Sequence, residues 1–380
     1  MSSNKRISII HFQPLEAYPP VMNVLQLLPA QMPDYKWQVF TSQKSIGLKL
    51  FLGDGVNLRI NRLITQERSL GRLSRLLRYF TFNLSAIIKL LRFRPGQIIY
   101  FETISAFPAI FYKWLFPKTR VYIHYHEYTS QEEQVNGMVL TRLIHKSEKW
   151  LYPRAQWISH TNSRRMQLFL EDEHLVASDL STRIMPNYPP EAWLKMRQAK
   201  TETVRPVKLV YVGSLGFNST YIREVCEWVQ RSDGRYSLDI YSYQMEEEVR
   251  RYIGEIGGQA IKLHRPINYT EIPKVLPEYD IGLILYKGHI PNYIHNAPNK
   301  LFEYHICGLS IWYPEEMEGC HSVDPTDFGP PIICVNFKKL DQMAPVMPNK
   351  KKLSVAYNNY PYTCQKSLTP IMEALIKGAL

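Results

Sequence analysis

Residues Asp280–Tyr286 read DIGLILY, and after a polar loop Ala297–Leu309 read APNKLFEYHICGL. The first run is apolar throughout after its leading acid, the pattern of a strand buried on both faces of a parallel sheet. The second has the signals of a helix. Pro298 suits its opening, where an N–H would have no partner, and Gly308 suits its end. A buried strand feeding such a helix is part of a βαβ unit, so the expected fold class is α/β with doubly wound parallel sheets. Lys300 and Glu303 stand at i and i+3 on one face near the helix N-terminus, the end directed toward ligand in such sheets. An ammonium there suits a phosphate, and a carboxylate can accept both hydroxyls of a ribose. The plainer alternative is an exposed helical ion pair worth about 0.3–0.5 kcal/mol.

Working outward, Lys208–Thr220 (KLVYVGSLGFNST) carries a strand into Gly213 and Gly216 and then into Asn218, Ser219 and Thr220, expected caps for a helix Tyr221–Gln230. Amides at such a turn, with the helix dipole behind them, favour an anion, and glycine lets it approach closely. An ordinary βα turn is the alternative, because neither GxGxxG nor a P-loop lysine is present. Strand-like runs also occur at Ile7–Phe12, Trp37–Thr41, Gln97–Phe101, Val121–His124 and Gln156–His160. The rhythm restarts after the proline-rich 184–190 (IMPNYPP) and a polar helix ending near Thr203, at Lys208–Val212, Ser237–Tyr241, Ala260–Leu263 and Asp280–Leu285. Two Rossmann-like domains facing a central cleft are expected, spanning 1–188 and 189–365, with a final helix in 366–380 crossing back to the first.

Composition narrows the class. With 380 residues, 45% apolar and 21% charged, the chain can build a sizeable core and is neither disordered nor fibrous. Five cysteines without a CxxC pair argue against a disulfide framework or structural zinc and fit a reducing compartment. No signal-peptide pattern or uninterrupted apolar span appears, so a cytoplasmic protein is expected. The net charge of +12 calls for a polyanionic partner. Nine basic residues against the single acid Glu67 concentrate it between Arg59 and Arg94.

The helix PNKLFEYHICGL, preceded by DIGLILY and YVGSL, resembles the carboxy-terminal half of GT-B glycosyltransferases of the retaining family 4 type. The order of VYIHYHEY (Val121–Tyr128), TNSRR (Thr161–Arg165) and MPNYPP (Met185–Pro190) adds to the resemblance, which spans most of 95–312. It implies transfer of a sugar from a nucleotide donor such as a UDP- or GDP-sugar to a glycan or lipid-linked acceptor, as in the synthesis of cell-surface polysaccharide. Most members need no metal, and no cofactor is implied. Glu303 matches the ribose-binding glutamate, and Gly213 and Ser214 match the diphosphate loop. A second glutamate that members often place against the donor sugar is here His295. The basic pair after the glycine loop is absent, which leaves Lys300, Arg265, backbone amides and the adjoining Asn299 for the donor. His126 matches a histidine facing the donor sugar, with Glu127 expected to orient it.

Other readings stay open. His124, His126 and Glu127 are possible metal ligands, although no HExxH and no third cluster accompanies them. Arg68, Arg72, Arg75 and Arg78 recur at helical spacing with Leu70, Leu73, Leu77 and Phe80, then Ile87, Ile88 and Leu91. Such a surface suits either an anionic membrane on the inner face or a core helix with a solvated basic side. No nucleic-acid-reading element is present. A nucleotide-sugar epimerase and a non-catalytic GT-B-like binding subunit are the alternative functions.

Overall fold

The computed structural model describes residues 5–44, 47–53, 55–66, 71–137, 139–197, 206–323, 329–342 and 360–378. The chain divides into two compact units. The first runs to Asn187 and resumes at Cys364, and the second is Tyr188–Thr363 together with the short 47–49 stretch.

The first unit holds a parallel sheet of seven strands: β1 (Arg6–Pro14), β2 (Lys36–Lys44), β3 (Leu58–Gln66), β4 (Gln97–Phe101), β5 (Arg120–Tyr125), β6 (Trp157–His160) and β7 (Thr182–Ile184), in the order β3-β2-β1-β4-β5-β6-β7. Every residue of β4 (QIIYF) is buried, and its apolar, β-branched and aromatic run IIYF is what a central strand covered on both faces requires. Its register sets Ile9 beside Ile99 and Ile99 beside Tyr122. Helices α1 (Pro19–Gln31), α2 (Arg72–Phe93), α3 (Ala106–Leu115), α4 (Gln131–Asn136), α5 (Val139–Glu148) and α6 (Ser163–Asp172) connect the strands.

In α2 the buried face is Tyr79, Phe82, Ala86 and Leu90, spaced three and four apart, and each large side chain so covered contributes about 1.5–3 kcal/mol. Leu73, Leu77, Phe80, Leu84, Ile88 and Leu91 follow the same period on another face and are exposed. The apolar stripe expected from sequence therefore points outward, not into the core. Two members of the basic patch do not stay free. Arg62 lies in β3, a strand the sequence reading missed, and its Nη2 donates to buried Glu16 Oε1 at 2.6 Å and to the Phe51 carbonyl at 2.8 Å. Arg78 donates to the Thr65 carbonyl. Glu67, Arg68 and Leu70 lie outside the described residues, as does the side chain of Arg72.

The second unit holds β8 (Val207–Val212), β9 (Tyr236–Tyr241), β10 (Ile261–His264), β11 (Ile281–Leu283), β12 (Ser310–Pro314) and β13 (Ile332–Val335), all parallel, in the order β10-β9-β8-β11-β12-β13. Its helices are α7 (Ile222–Gln230), α8 (Glu247–Ile256), α9 (Ile272–Val275), α10 (Pro291–Ile294), α11 (Asn299–Ile306) and α12 (Glu318–His321). The core gathers Leu209, Tyr211, Leu238, Ile240, Ile281 and Leu283 from the sheet against Ile222, Val225 and Val229 of α7. The segment 198–205, where a polar helix was expected to end, lies outside the described residues.

The last helix, α13 (Cys364–Lys377), belongs to the first unit. Leu368, Ile371 and Leu375 are buried, and near the helix end the carbonyls of Leu375 and Ala374 accept from Gln97 Nε2 (2.9 Å) and Tyr122 Oη (3.2 Å). Strand order reverses between β1 and β4 in the first unit and between β8 and β11 in the second. Doubly wound sheets bind ligands at such reversals, beyond the carboxyl ends of the strands.

Candidate functional site

At the reversal in the second unit the turn after β8 is tied to the end of β11. Tyr221 N–H donates to the Leu285 carbonyl at 2.8 Å, Lys287 N–H to the Ser219 carbonyl at 3.0 Å, and Lys287 Nζ to the Phe217 carbonyl at 2.8 Å. The Lys300 side chain, one turn into this space from α11, lies across Gly213. A Cβ on that residue would stand 2.6 Å from both Cε and Nζ, and its φ of +149° is also glycine territory. Nζ donates to Tyr286 Oη at 2.7 Å and sits 5.0 Å from the ring centre of Tyr211 and 4.4 Å from that of Tyr286. Burial works against the ammonium, but Tyr211 and Tyr286 outweigh it and hold the pKa above the usual lysine value, so Lys300 is a cation.

Glu303, one turn further along α11, is only 6% exposed. No donor among the described residues hydrogen-bonds its carboxylate. Burial pushes its pKa up to about 7, against the pull of Lys300. A buried acid with open acceptor capacity beside a caged cation suits a ligand that brings hydroxyl donors and negative charge together.

The rest of the expected donor set is less concentrated. Ser219 and Thr220 do not cap α7; their hydroxyls donate back to the Gly216 carbonyl at 3.3 and 2.7 Å, a local closure open to Ser and Thr. The loop's amides are mostly committed: Gly213 to Tyr241 O (2.9 Å), Leu215 to Gln244 O (3.0 Å) and Phe217 to the Glu246 carboxylate (3.2 Å). Ser214 accepts from Tyr211 Oη through its carbonyl at 2.6 Å. Asn299 is the first residue of α11. His295 Nδ1 lies 3.4 Å from Glu318 Oε2. Arg265 is exposed just beyond β10, which β9 separates from β8, about 10 Å of sheet away from the glycine turn.

The first unit has its own cluster at the carboxyl ends of β4 and β5. His126 is buried, stacks on Phe101 with ring centres 5.1 Å apart, and meets Asn187 Oδ1 through Nδ1 at 3.1 Å. Burial lowers its pKa to about 4, so the imidazole is neutral. Nδ1 donates to Asn187, which leaves Nε2 an acceptor, buried and without a protein partner. Among the described residues no hydrogen bond joins Glu127 to this ring: Glu127 is exposed, Asn187 holds Nδ1, and Glu102 holds the backbone N–H of His126.

Sequence reasoning missed Glu102 and the tyrosines around Lys300. It quoted the segments holding Asn187 and Arg165 without giving either a role. The signals were faint: an acid directly after a buried strand, and single tyrosines at the head of YVGSL and at the end of DIGLILY. Among the described residues no group of His, Cys, Asp and Glu side chains is placed to hold a metal ion, and no helix is long and apolar enough to cross a membrane.

No family model matches the sequence, and no curated protein is similar enough to be matched. Solved structures are similar over nearly the whole length. Sucrose-phosphate synthase from Thermosynechococcus elongatus superposes with a TM-score of 0.63 at 13% identity, covering 98% of this chain and 96% of its own. HepE from Anabaena, solved with UDP-glucose, gives 0.61 at 10% identity over 98% and 97%. UDP-GlcNAc 2-epimerase from Methanocaldococcus jannaschii gives 0.56 at 12% over 98% and 99%. The two parallel-sheet α/β domains of this chain therefore have the GT-B fold.

Proposed function

We propose that this protein is a glycosyltransferase that moves a sugar from a nucleotide-sugar donor to a glycan or lipid-linked acceptor, in the manner of the retaining family 4 enzymes its sequence resembles. The observation that carries the reading is the trio at the second unit's strand reversal: Lys300 caged by Tyr211 and Tyr286 over Gly213, with the unpartnered carboxylate of Glu303 one turn away. In this role Glu303 accepts the ribose hydroxyls and Lys300 neutralises the diphosphate. Gly213 and Ser214 form the turn and Asn299 opens α11 beside Lys300, and His295 with Glu318 takes the place of the glutamate that contacts the donor sugar. His126 offers Nε2 to a hydroxyl of the transferred sugar. In transfer with retention the anomeric C–O bond to the diphosphate breaks, and the acceptor oxygen forms the new bond on the same face. The departing diphosphate takes the acceptor's proton. The protein then supplies placement and charge compensation, with Lys300 opposing the negative charge that grows on the leaving group.

HepE, of the same fold, was solved with UDP-glucose, which supports a uridine nucleotide as the first donor to try. The exposed apolar stripe of α2, flanked by Arg75, Lys89 and Arg92, supports work at an anionic membrane surface on the cytoplasmic side. An epimerase is the second reading, favoured by the fold shared with UDP-GlcNAc 2-epimerase and by a buried carboxyl held near neutrality at Glu303. A thermal-shift series with UDP, GDP, UDP-glucose and UDP-GlcNAc tests the donor, because a ligand at 100 times its dissociation constant stabilises by about 2.7 kcal/mol. Isomerisation of the nucleotide sugar without any acceptor would favour the epimerase over the transferase.

A further inference from the structure

Glu102 follows β4 at the strand reversal of the first unit and has φ +65° and ψ 147°, a backbone region that glycine adopts and other residues avoid. The conformation is held from both sides: its N–H donates to the His124 carbonyl at 3.1 Å, and its carbonyl accepts from Ser105 N–H at 2.9 Å. The consequence is that the side chain crosses to the end of β5. There one carboxyl oxygen accepts the N–H of His126 at 2.6 Å and of Glu127 at 3.3 Å. The same peptide is gripped from its other side by buried Arg165, whose Nη1 donates to the His126 carbonyl at 2.7 Å and to Thr161 Oγ1 at 3.1 Å. Asn187 fixes the ring through Nδ1. Three residues from β4's end, α6 and the segment after β7 thus fix one imidazole whose Nε2 has no protein partner.

We propose that Glu102 is a positioning residue that sets the His126 imidazole for a sugar hydroxyl. A side chain selected only for stability has no reason to occupy a glycine conformation, and a glycine there would keep the turn but lose the grip on His126. Burial and the neighbouring Glu127 push the Glu102 carboxyl up to about 8. Glutamine therefore reproduces the protonated group that makes these bonds near neutral pH. The inference rests on the reading of His126 as a sugar contact.

The test compares Glu102→Gly, Glu102→Ala and Glu102→Gln by melting temperature, UDP calorimetry, NMR titration of the His126 ring and UDP release from UDP-glucose. Glu102→Gly should melt at or above the wild-type temperature and bind UDP unchanged. Its His126 pKa should rise from about 4 toward the solvated histidine value by at least about one unit. UDP release should fall at least about tenfold, as misplacement of a contacting group does. Glu102→Gln should restore both readouts, and Glu102→Ala covers the case in which the glycine variant folds poorly. Wild-type titration of His126 and wild-type release in both the glycine and alanine variants would overturn the proposal, as would a glutamine variant as impaired as glycine. If His126→Ala itself releases UDP at the wild-type rate, the sugar-contact reading fails, and the His126 titration alone decides whether Glu102 positions the ring.

Discussion

Replacing Glu303 with glutamine should strengthen the free protein and weaken its hold on a nucleotide. The buried carboxyl titrates at about 7 instead of its ordinary 4.5, so the folded state disfavours the charged form. A raised acid pKa means that stability is lost as pH climbs above 4.5, and the loss levels off beyond 7. At about 1.36 kcal/mol per unit, the carboxylate costs the second unit about 3 kcal/mol at pH 8 and very little at pH 4. Glutamine has the shape of the protonated acid and no charge. The variant should therefore melt several degrees higher at pH 8, given about 2–4 °C per kcal/mol for a domain of this size, and the difference should vanish toward pH 4.5. In the same variant the hydrogen bonds from ribose hydroxyls to a charged acceptor are lost, a cost of about 1.5–3 kcal/mol, or about 10- to 150-fold in UDP dissociation constant. Scanning calorimetry across pH and UDP titration calorimetry measure the two halves. A variant that melts lower than wild type at pH 8, or one with undiminished UDP affinity, would refute the reasoning.

His126→Ala should lower turnover of the nucleotide sugar while UDP affinity changes by less than about twofold, since the ring is assigned to the sugar and costs no nucleotide contact; a collapse of UDP binding in a folded variant would remove that assignment. The first unit should lose stability in acid. Burial lowers His126 to about 4 and His160 to about 3, so their neutral forms stabilise fully above 6.5 and cost about 2 kcal/mol each by pH 5. NMR titration in which either ring protonates near 6.5 would contradict this, and the melting temperature alone does not decide it because Glu102, raised to about 8, gains stability over the same range. Leu77→Glu with Leu84→Glu on the exposed face of α2 should abolish co-sedimentation with anionic vesicles at low salt without changing UDP affinity. Equal sedimentation of variant and wild type would leave the stripe without a membrane role.

The alternation of strand and helix was legible because parallel strands are covered on both faces and therefore read as unbroken apolar runs, as in QIIYF and DIGLILY. Strands at the margins were not. β3 carries arginines because one of them, Arg62, turns inward to Glu16, a long-range pairing that local sequence cannot show. β12 and β13 are five and four residues long, too short for a strand period to show in the sequence. In the site, Lys300 and Glu303 were legible from helical spacing alone. Their cage was not, since Tyr211 lies in β8 and Tyr286 just beyond β11, strands that are neighbours only in the folded sheet. Glu102 was hidden for a further reason: its importance lies in a backbone angle, and a glutamate at +65° leaves no trace in a sequence pattern.

A structure determined with bound UDP tests the central claim most directly. The account predicts the nucleotide at the β8–β11 reversal, with ribose oxygens within hydrogen-bonding distance of the Glu303 carboxylate and a diphosphate oxygen on Lys300 Nζ above Gly213. A nucleotide seated elsewhere with Glu303 unengaged, or crystals that bind no nucleotide at concentrations saturating for the solution assay, would contradict it.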